Sequence, residues 1–423
     1  MRAMKNSGVE WIGEIPAGWK VTTIKKEYSF QTGWTPDTKK NSYFEGENIW
    51  VNISDLKGRE VSESQRHISD EAVQISSMDV SPKGSLMYAF KLSVGAVAFC
   101  GCDLYTNEAI ATFLPGNNSL KYLYYVAPIF IEHNANENIY GAKILNQQLI
   151  RNAKIVLPSI GEQHHIADYL DDKCSKIDAI IEKQQTVIEK LKEYKLSVIT
   201  EAVTKGLNPD VEMKDTGIDW IGEMPQKWNL TTVSRIATVV RGASPRPAGD
   251  PKYFNGQDVP WITVAEVTNG EGKYIYLTDT FLTNEGAKHS RIVDAGTLLL
   301  SNSGATLGVP KVTKITGCIN DGSVAFLDLK IEQMYLLYIF KSRTFELRKQ
   351  MAGYGQPNLN TTIVKNIYIP LPSELEQQKI CMYLDEKCSG IDKTIEVKQA
   401  LIEKLIEYKK SLIYEVVTGK KEV

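Results

Sequence analysis

The sequence predicts an α+β protein: two mixed α/β bodies with curved, largely antiparallel sheets, joined by two long antiparallel coiled-coil helices in a pseudo-twofold arrangement. Two observations lead to this fold class. The chain contains the same ordered blocks of sequence twice, and each copy ends in a long, proline-free segment with an apolar stripe of helical period. Its 423 residues fit such a duplication, because that length allows two or three domains of ordinary size.

The internal repeat is clearest at the two ends of each copy. The block GVEWIGEIP at residues 8–16 recurs as GIDWIGEMP at residues 217–225. At the other end, residues 157–204 match residues 371–418 with 29 identities in 48 positions. Identity at this level, kept in order over the whole chain, indicates two copies of one structural unit.

The repeat divides the chain into four segments. They are a first body, a central helix, a second body and a C-terminal helix, at residues 1–156, 157–206, 207–370 and 371–423. The two bodies match each other only in turn residues, such as Gly84 with Gly296 and Asn107 with Asn320. Similar turns with different contents indicate one fold that carries two different surfaces.

Short apolar runs between Gly, Pro, Asn and Asp predict strands and turns in both bodies. Examples are SLMYAF at 85–90 and TLLLSN at 297–302. The apolar segments 121–134 and 334–350 are long enough to form helices. Each body is therefore expected to be a mixed α/β domain.

The two tails predict the longest helices of the chain. Residues 161–204 contain no proline and carry apolar residues at steps of three, four and seven, and the second tail repeats the pattern. Because such a stripe needs a partner surface, we expect the two helices to pack on each other; the alternative is that each packs only on its own body. The predicted helix-pair interface consists of Ile177, Ile181, Ile188, Leu191, Val198, Ile391, Ile395, Ile402, Leu405 and Leu412. Gln184 and Lys398 interrupt the stripe and are expected to fix its register.

Composition places the chain among ordinary globular proteins. Hydrophobic residues make up 43% and charged residues 24%, and 49 basic residues nearly balance 51 acidic ones. This balance excludes a histone-like polycation but not nucleic-acid binding, because local patches matter more than net charge. The sequence has no signal-peptide core and no apolar stretch of membrane-spanning length. We therefore expect a soluble, cytoplasmic protein with reduced thiols and no membrane partner.

Several blocks resemble the specificity subunits of type I restriction-modification systems. Residues 204–230, TKGLNPDVEMKDTGIDWIGEMPQKWNL, are similar to the central repeat of that family, as are the paired LPS…EQ…YLD-x-KC-x-x-ID tails. GWTPD at 33–37 and IWVNISDL at 49–56 resemble the start of the family's target-recognition domains. The second body departs from this pattern at 243–245 and 264–267, where the family itself varies.

The resemblance implies a division of labour between this chain and its partners. Each body would be a target-recognition domain reading one half of a split, double-stranded DNA sequence, and the helices would set the spacer between the halves. The helices would also dock two modification subunits, which methylate adenine N6, and motor-nuclease restriction subunits would join the complex. The chain itself would have no catalytic residue and bind no cofactor or metal. S-adenosylmethionine, ATP and Mg²⁺ would be bound by the partner subunits.

Signatures of an autonomous enzyme are missing from the sequence. It contains no Pro-Pro dipeptide, which the N/D-P-P-F/Y/W loop of an adenine methyltransferase requires, and no G-x-x-x-x-G-K-[ST] nucleotide loop. Cys100 and Cys102 have no second pair of ligands at zinc-finger spacing. We therefore predict a non-catalytic subunit without a metal site.

Candidate DNA contacts are polar loop side chains of types that fit base edges or phosphates. Arg and Lys suit guanine, and Asn and Gln suit adenine. The candidates of the first body are Thr35, Lys39, Lys40, Asn52, Ser54, Lys57, Arg59, Lys91 and Asn107. Those of the second body are Arg241, Ser244, Arg246, Lys252, Thr263, Lys273, Ser301, Asn302 and Asn320. Arg246, between two prolines, is the strongest single candidate, whereas Trp50 and Trp261 are expected in the core; for each loop residue the alternative is a solvated position without a role.

Two other functions are compatible with the residues alone. One is a DNA-recognition or scaffold subunit of another defence or modification complex that reuses the same fold, and the other is a protein-interaction scaffold that uses its two bodies as adaptors. A third alternative, an autonomous enzyme, is disfavoured by the missing signatures. A neighbouring gene that encodes an adenine methyltransferase with an N-P-P-F/Y loop would favour the specificity subunit over these alternatives.

Overall fold

The computed structural model describes residues 2–137, 141, 143–304, 306–351 and 358–423. They form two compact units, one made of Met1–Lys183 with Ala400–Val423 and the other of Gln184–Gln399. The units divide the chain differently from the four sequence segments, because each of the two long helices contributes to both units.

The first unit is built on a five-stranded sheet and a smaller three-stranded sheet. Its strands are β1 (Met4–Asn6), β2 (Glu14–Pro16), β3 (Lys20–Thr23), β4 (Phe30–Thr32), β5 (Asn48–Val51), β6 (Glu60–Val61), β7 (His67–Ile68), β8 (Leu86–Ala89), β9 (Val97–Cys100), β10 (Tyr105–Thr106), β11 (Ile110–Phe113), β12 (Asn136–Glu137), β13 (Lys143–Ile144) and β14 (Lys154–Leu157). Its helices are α1 (Ile24–Glu27), α2 (Asp70–Ser76), α3 (Leu120–Phe130) and α4 (Gln147–Asn152), with 3-10 turns at Asn41–Phe44, Ile53–Asp55 and Glu132–Asn134. The main sheet has the order β4-β11-β8-β9-β6, and the smaller one has the order β10-β5-β7.

The long helix α5 (Ile160–Lys205) leads into the second unit. The strands that follow are β15 (Met213–Asp215), β16 (Glu223–Pro225), β17 (Asn229–Thr232), β18 (Thr238–Arg241), β19 (Phe254–Ile262), β20 (Tyr274–Ile275), β21 (Phe281–Leu282), β22 (Arg291–Val293), β23 (Leu298–Ser301), β24 (Pro310–Thr313), β25 (Gly317–Ile319), β26 (Ser323–Leu327) and β27 (Tyr368–Leu371). The helices are α6 (Val233–Ile236), α7 (Val264–Thr268), α8 (Asn284–Lys288), α9 (Gln333–Met351), α10 (Thr361–Lys365) and α11 (Glu374–Val417). The main sheet here has the order β18-β26-β23-β24-β20.

The two main sheets have the same strand order, position by position. In both, the pairs are antiparallel except at one edge, where β6 runs parallel to β9 and β20 runs parallel to β24. The smaller sheets also correspond, although β22 adds an edge strand in the second unit. The bodies therefore share a topology that their diverged sequences show only in their turns.

Helix α5 has 46 residues and extends one residue beyond each end of the predicted segment 161–204. Helix α11 has 44 residues and lies within the predicted segment 371–423. They run antiparallel within each unit: Lys409 pairs with Asp178 in the first, and Lys195 pairs with Asp392 in the second. Within the second unit, the Lys398 ammonium donates a hydrogen bond of 2.9 Å to Gln184 Oε1. The two polar interruptions of the stripe are thus each other's partners.

The predicted stripe lies on the inner side of the helices. Ile177, Ile188, Val198, Ile391, Ile395 and Leu412 are buried, and Ile181, Leu191, Ile402 and Leu405 are half-buried. By contrast, the neighbouring Ile180 and Tyr194 are 45% and 58% exposed. The helices also pack on the bodies, since Leu170 and Leu412 share a core with Phe113 and Tyr122 in the first unit.

The N-terminal block packs against the end of α11 in the first unit. Tyr414 donates a hydrogen bond of 2.9 Å to the carbonyl of Trp11, and Arg2 donates one to the carbonyl of Gly419. Its repeat in the second unit packs beside the end of α5, where Gly206 adopts a positive φ of 77° and lies against Trp228. Each entry block therefore packs beside the C-terminal end of a long helix. Only the second block also comes directly after that helix in the sequence.

Three further features concern the chain as far as the structure describes it. None of the helices in the described ranges is long and apolar enough to cross a membrane. All six cysteines are free thiols. Trp50 and Trp261, expected in the core, are buried at 2% and 7% exposure.

Candidate nucleic-acid interface

A glycine at the end of the first edge strand brings two loops together in each unit. At Gly33, which follows β4, an added Cβ would lie 1.6 Å from the carbonyl oxygen of Thr106. At the equivalent Gly242, which follows β18, it would lie 2.0 Å from the carbonyl oxygen of Asn320. Only glycine permits this backbone approach. The loops after these glycines are therefore held against the loop that enters the neighbouring strand.

A hydroxyl two residues after each glycine donates to a carboxylate on that neighbouring loop. Thr35 Oγ1 donates to Glu108 in the first unit. Ser244 Oγ donates to Asp321 Oδ1 over 2.6 Å in the second. Each carboxylate directly follows an asparagine at an equivalent position of the repeat. We call this glycine, hydroxyl and carboxylate set the loop brace.

The first-unit brace carries a negative charge held close to a lysine. Partial burial raises the pKa of Glu108, but the hydrogen bond from Thr35, one to its own backbone and the charge of Lys91 outweigh burial and leave that pKa below its ordinary value. Glu108 is therefore ionised at neutral pH. Lys91 is exposed on the loop that joins β8 to β9. Next to it Leu92 is 96% exposed with a positive φ of 59°, so an apolar side chain stands at the tip of this loop.

The second-unit brace lies beside a polar cavity of about 410 Å³. Its lining comprises Arg241, Arg246, Val264, Ser303, Asn320, Asp321, Gly322 and Asn358. Arg246 lies 3.6 Å from Asp321 Oδ2, with 71% of its side chain exposed. Arg241 Nε donates to the carbonyl of Asp321 over 2.8 Å. Five segments that are distant in sequence thus line one opening, which is bordered by two arginines and two asparagines.

Asn320, which lines this cavity, and the nearby Asn302 have buried amide atoms without a hydrogen-bond partner in the described part of the chain. Asn320 Oδ1 is buried without a hydrogen bond, and both amide atoms of the fully buried Asn302 are also unpartnered. Asn302 directly follows β23 and precedes Ser303, which lines the cavity. Burial of an amide atom without a partner costs free energy, and a ligand or water in the cavity that Asn320 lines could bond its Oδ1.

Comparison with known proteins identifies the scaffold. The family model described as "Type I restriction modification DNA specificity domain" matches residues 16–190 and 225–407. The chain belongs to this family.

The chain is also similar to proteins named as specificity subunits of type I restriction enzymes. The chain is 26% identical to the type I restriction enzyme MjaIX specificity subunit of Methanocaldococcus jannaschii over 87% of this chain and 86% of that protein. It is 24% identical to the StySPI specificity subunit of Salmonella potsdam, over 91% and 85% of the two chains.

Two solved structures share the fold of this specificity-family chain. One comes from work described as "Structural basis underlying complex assembly and conformational transition of the type I R-M system", with a TM-score of 0.75, 17% identity and coverage of 96% and 99% of the two chains. The other is the HsdS subunit from Thermoanaerobacter tengcongensis, with a TM-score of 0.52, 17% identity and coverage of 96% and 98%.

Other candidates of this specificity-family chain cap helical turns near the braces. Asn52 accepts from the backbone N–H of Ser54 over 2.8 Å and, with Asp55, forms a capping box. Thr263 forms the equivalent box with Glu266 at the start of α7. Their side-chain oxygens are occupied locally, so these residues shape the loops. Ser54 is exposed on the first of the two turns.

Two cationic candidates interact with the long helices instead of facing the braces. Arg59 contacts Asp171 of α5, and Lys273 contacts Asp385 of α11.

The candidate Ser301 is fully buried, and its hydroxyl donates to the carbonyl of Thr306 over 2.7 Å. For all three of these candidates, the structure provides an intramolecular partner that accounts for the residue without DNA.

The remaining candidates are accessible. Lys39, Lys57, Lys91 and Lys252 are exposed, as is Lys40, whose ammonium donates to the hydroxyl of Tyr43 over 2.9 Å. Asn107 is half-buried and accepts from the backbone N–H of Ala109. These side chains could approach a phosphate or base without rearrangement of the core.

Sequence reasoning missed Glu108, Asp321, Asn358 and Leu92. Acidic and apolar side chains are not expected on a surface for a polyanion, so residue type argued against them. A signal did exist for the two carboxylates, since each follows the repeat-matched asparagine directly. Among the described residues, no group of three or more His, Cys, Asp or Glu side chains is placed to hold a metal.

Proposed function

We propose that the protein is the DNA sequence-specificity subunit of a type I restriction-modification complex and reads a split double-stranded target with its two bodies. The observation that carries the proposal is the pair of braces. Both braces lie at the first edge strand of a main sheet with the same strand order, yet the side chains around them differ. The first offers Thr35, Lys91 and Leu92, and the second offers Arg241 and Arg246. Two equivalent sheets that carry different loop side chains are suited to bind two different half-site sequences.

The charge of the bodies fits recognition within a larger complex. Near-neutral bodies gain little affinity from phosphate contacts alone, because that affinity comes from neutralised phosphates. Partner subunits that complete a clamp around the duplex would supply the missing affinity. We therefore expect weak DNA binding by the isolated chain and tight binding by the assembly.

The long helices offer equivalent docking positions for two copies of one partner. Tyr194 on α5 and Tyr408 on α11 are matched by the repeat and are 58% and 54% exposed. Exposed aromatic side chains are typical of protein interfaces. We propose that each contributes to the docking of one modification subunit, and that restriction subunits join that complex. In this proposal the chain is not catalytic, and the partner subunits bind S-adenosylmethionine, ATP and Mg²⁺.

Mapping of N6-methyladenine in the host genome, with and without this gene, tests the proposal. We expect loss of methylation at one motif made of two short halves around a fixed gap. Restoration of the gene should restore that motif and no other. A methylome that is unchanged by the deletion, in a strain that expresses the partner subunits, would contradict the proposed function.

A further inference from the structure

A cation, a tyrosine and an aspartate tie the first body to the long helix α5. Arg59, directly before β6, donates to Asp171 Oδ2 over 2.7 Å. Tyr125 of α3 donates to Asp171 Oδ1 over 2.5 Å. The guanidinium also lies 4.8 Å from the ring centroid of Tyr124. Both oxygens of one helix carboxylate are thus held by the body.

The second body uses the same chemistry against α11. Lys273, directly before β20, contacts Asp385 Oδ1, and Tyr338 of α9 donates to the same atom. The ammonium lies 5.2 Å from the ring centroid of Tyr338. We call these two sets the body-helix clamps.

Duplication kept the clamps although most of the two bodies diverged. Asp171 and Asp385 are repeat mates in the tails, and both cations directly precede the equivalent edge strands β6 and β20. The cation differs between the two clamps: it is arginine in the first and lysine in the second. Both copies keep a cation, a tyrosine and an aspartate that come from three separate segments. This indicates that the position of the body on the helix is constrained, and not only the local sequence.

The protonation states of the first clamp favour its hydrogen bonds at neutral pH. Burial and the adjacent Asp171 raise the pKa of Tyr125, so its hydroxyl keeps the proton that it donates. Burial lowers the pKa of Arg59, but its bonds to Tyr125 and Asp171 outweigh this and raise that pKa overall. Hydrogen bonds with charged partners are stronger than neutral ones and restrict direction.

Each clamp and each brace lie at opposite edges of the same sheet. In the first unit, the order β4-β11-β8-β9-β6 places the clamp at β6 and the brace at β4 and β11. The second unit repeats this with β20 at one edge and β18 with β26 at the other. A change in how the clamped edge sits on its helix would therefore displace the brace at the far edge.

We propose that the clamps are positioning devices that fix where each body stands on its helix and so restrict the spacer length of the split DNA target. This rests on the proposed function, because a spacer exists only if the two bodies read two halves. The first body is positioned by Arg59, Tyr125 and Asp171. The second body is positioned by Lys273, Tyr338 and Asp385. None of them needs to touch DNA.

The test compares methylation of a DNA library by the assembled methyltransferase carrying wild-type, Arg59→Gln or Lys273→Gln chains. The library keeps both half-sites and varies the spacer by one or two base pairs in either direction. We expect roughly a tenfold loss of preference for the native spacer in each variant, the size that loss of one charge-assisted hydrogen bond supports. The bases preferred in the half-sites should not change.

Conservative variants separate positioning from stability. Arg59→Lys should retain the spacer preference, because the second body already uses lysine at this place. Tyr125→Phe removes one hydroxyl of the clamp. It replaces Arg59→Gln in the test if the Arg59→Gln chain does not assemble with the modification subunits. Lys83→Gln, which removes an exposed cation near Arg59 that is not a candidate DNA contact, should behave as wild type. Reduced methylation at every spacer with unchanged spacer preference would overturn the clamp proposal, whereas a wild-type complex that selects no split sequence would overturn the proposed function itself.

Discussion

Arg246 is the residue of the second body best placed to read a base. Its guanidinium lies 3.6 Å from Asp321 and remains largely exposed at the mouth of the polar cavity. The carboxylate is in turn held by Ser244, so the anion beside the cation has a fixed position. A guanidinium group can donate two hydrogen bonds to guanine O6 and N7.

We expect Arg246→Ala to relax one guanine preference in the second half-site. The loss should be about 1–3 kcal/mol of discrimination at that base pair, with the first half-site unchanged. Binding of a randomised DNA library by the assembled complex measures both halves together. Arg235→Ala removes an exposed cation outside the cavity and is the matched control. Relaxation in the first half-site would contradict this role.

The close approach at Gly33 makes a second residue-level prediction. In Gly33→Ala the new methyl would overlap the Thr106 carbonyl, so the loop must move and the brace must open. Overpacking of this kind costs about 1–3 kcal/mol or more. Thermal unfolding should show a lower midpoint than for wild type. Gly18→Ala, which meets no atom within 4 Å, should leave the midpoint nearly unchanged, and equal effects of the two variants would refute the steric account.

At this scale the sequence predicted residue types better than residue roles. Thr35, Ser244, Arg246 and Asn320 were chosen from residue type and turn context, and the structure brings the last three to one cavity or its brace. Arg59 fits the same criteria, but its partner Asp171 lies over a hundred positions away. Side-chain pairing over such distances is decided by tertiary packing, which residue type does not encode.

Among the elements, the long helices were the most predictable. Their apolar period extends over many turns and contains no proline, so the predicted start and end differ from the observed ones by a residue at each end of α5. The edge strands were less predictable. β6 and β20 are two residues long and pair in parallel with a neighbour, a contact that the local pattern does not specify.

Helix propensity gives a prediction for Gly390, an exposed position inside α11. An alanine there would meet no atom within 4 Å, and its backbone is helical. Gly390→Ala should stabilise the protein by about 0.5–1 kcal/mol, measured as a higher midpoint of thermal or denaturant unfolding. Gly206→Ala is the contrasting variant, because positive φ and the nearby Trp228 make it destabilising. Destabilisation by Gly390→Ala would show that α11 is not a regular helix at this point.

The exposed tyrosines of the helices give a prediction about assembly. Tyr194→Ser and Tyr408→Ser each remove an exposed aromatic ring from one of two equivalent positions. We expect each single variant to weaken the binding of one modification subunit and the double variant to weaken both, as mass measurements of the purified complex would show. Exposed Leu375→Ser on α11 is a control without a repeat-matched aromatic residue. Unchanged stoichiometry in the double variant would exclude these positions from the interface.

For the whole molecule, the duplication explains both what could be predicted and what could not. Repeated tails and matched turns predict two copies of one fold, and the identical strand order of the two main sheets confirms it. The sequence did not show that each unit contains part of both long helices, because that depends on how the antiparallel helices pair. It also did not separate the contents of the two bodies into base contacts and internal supports.

An exchange of one body tests most directly whether the two bodies read their half-sites independently. Residues 20–155 would be replaced by the corresponding body of another family member, and N6-methyladenine would be mapped in cells with the unchanged partner subunits. We expect a new first half-site and the original second half-site. A change in both half-sites, in a chimaera that assembles and methylates, would contradict it.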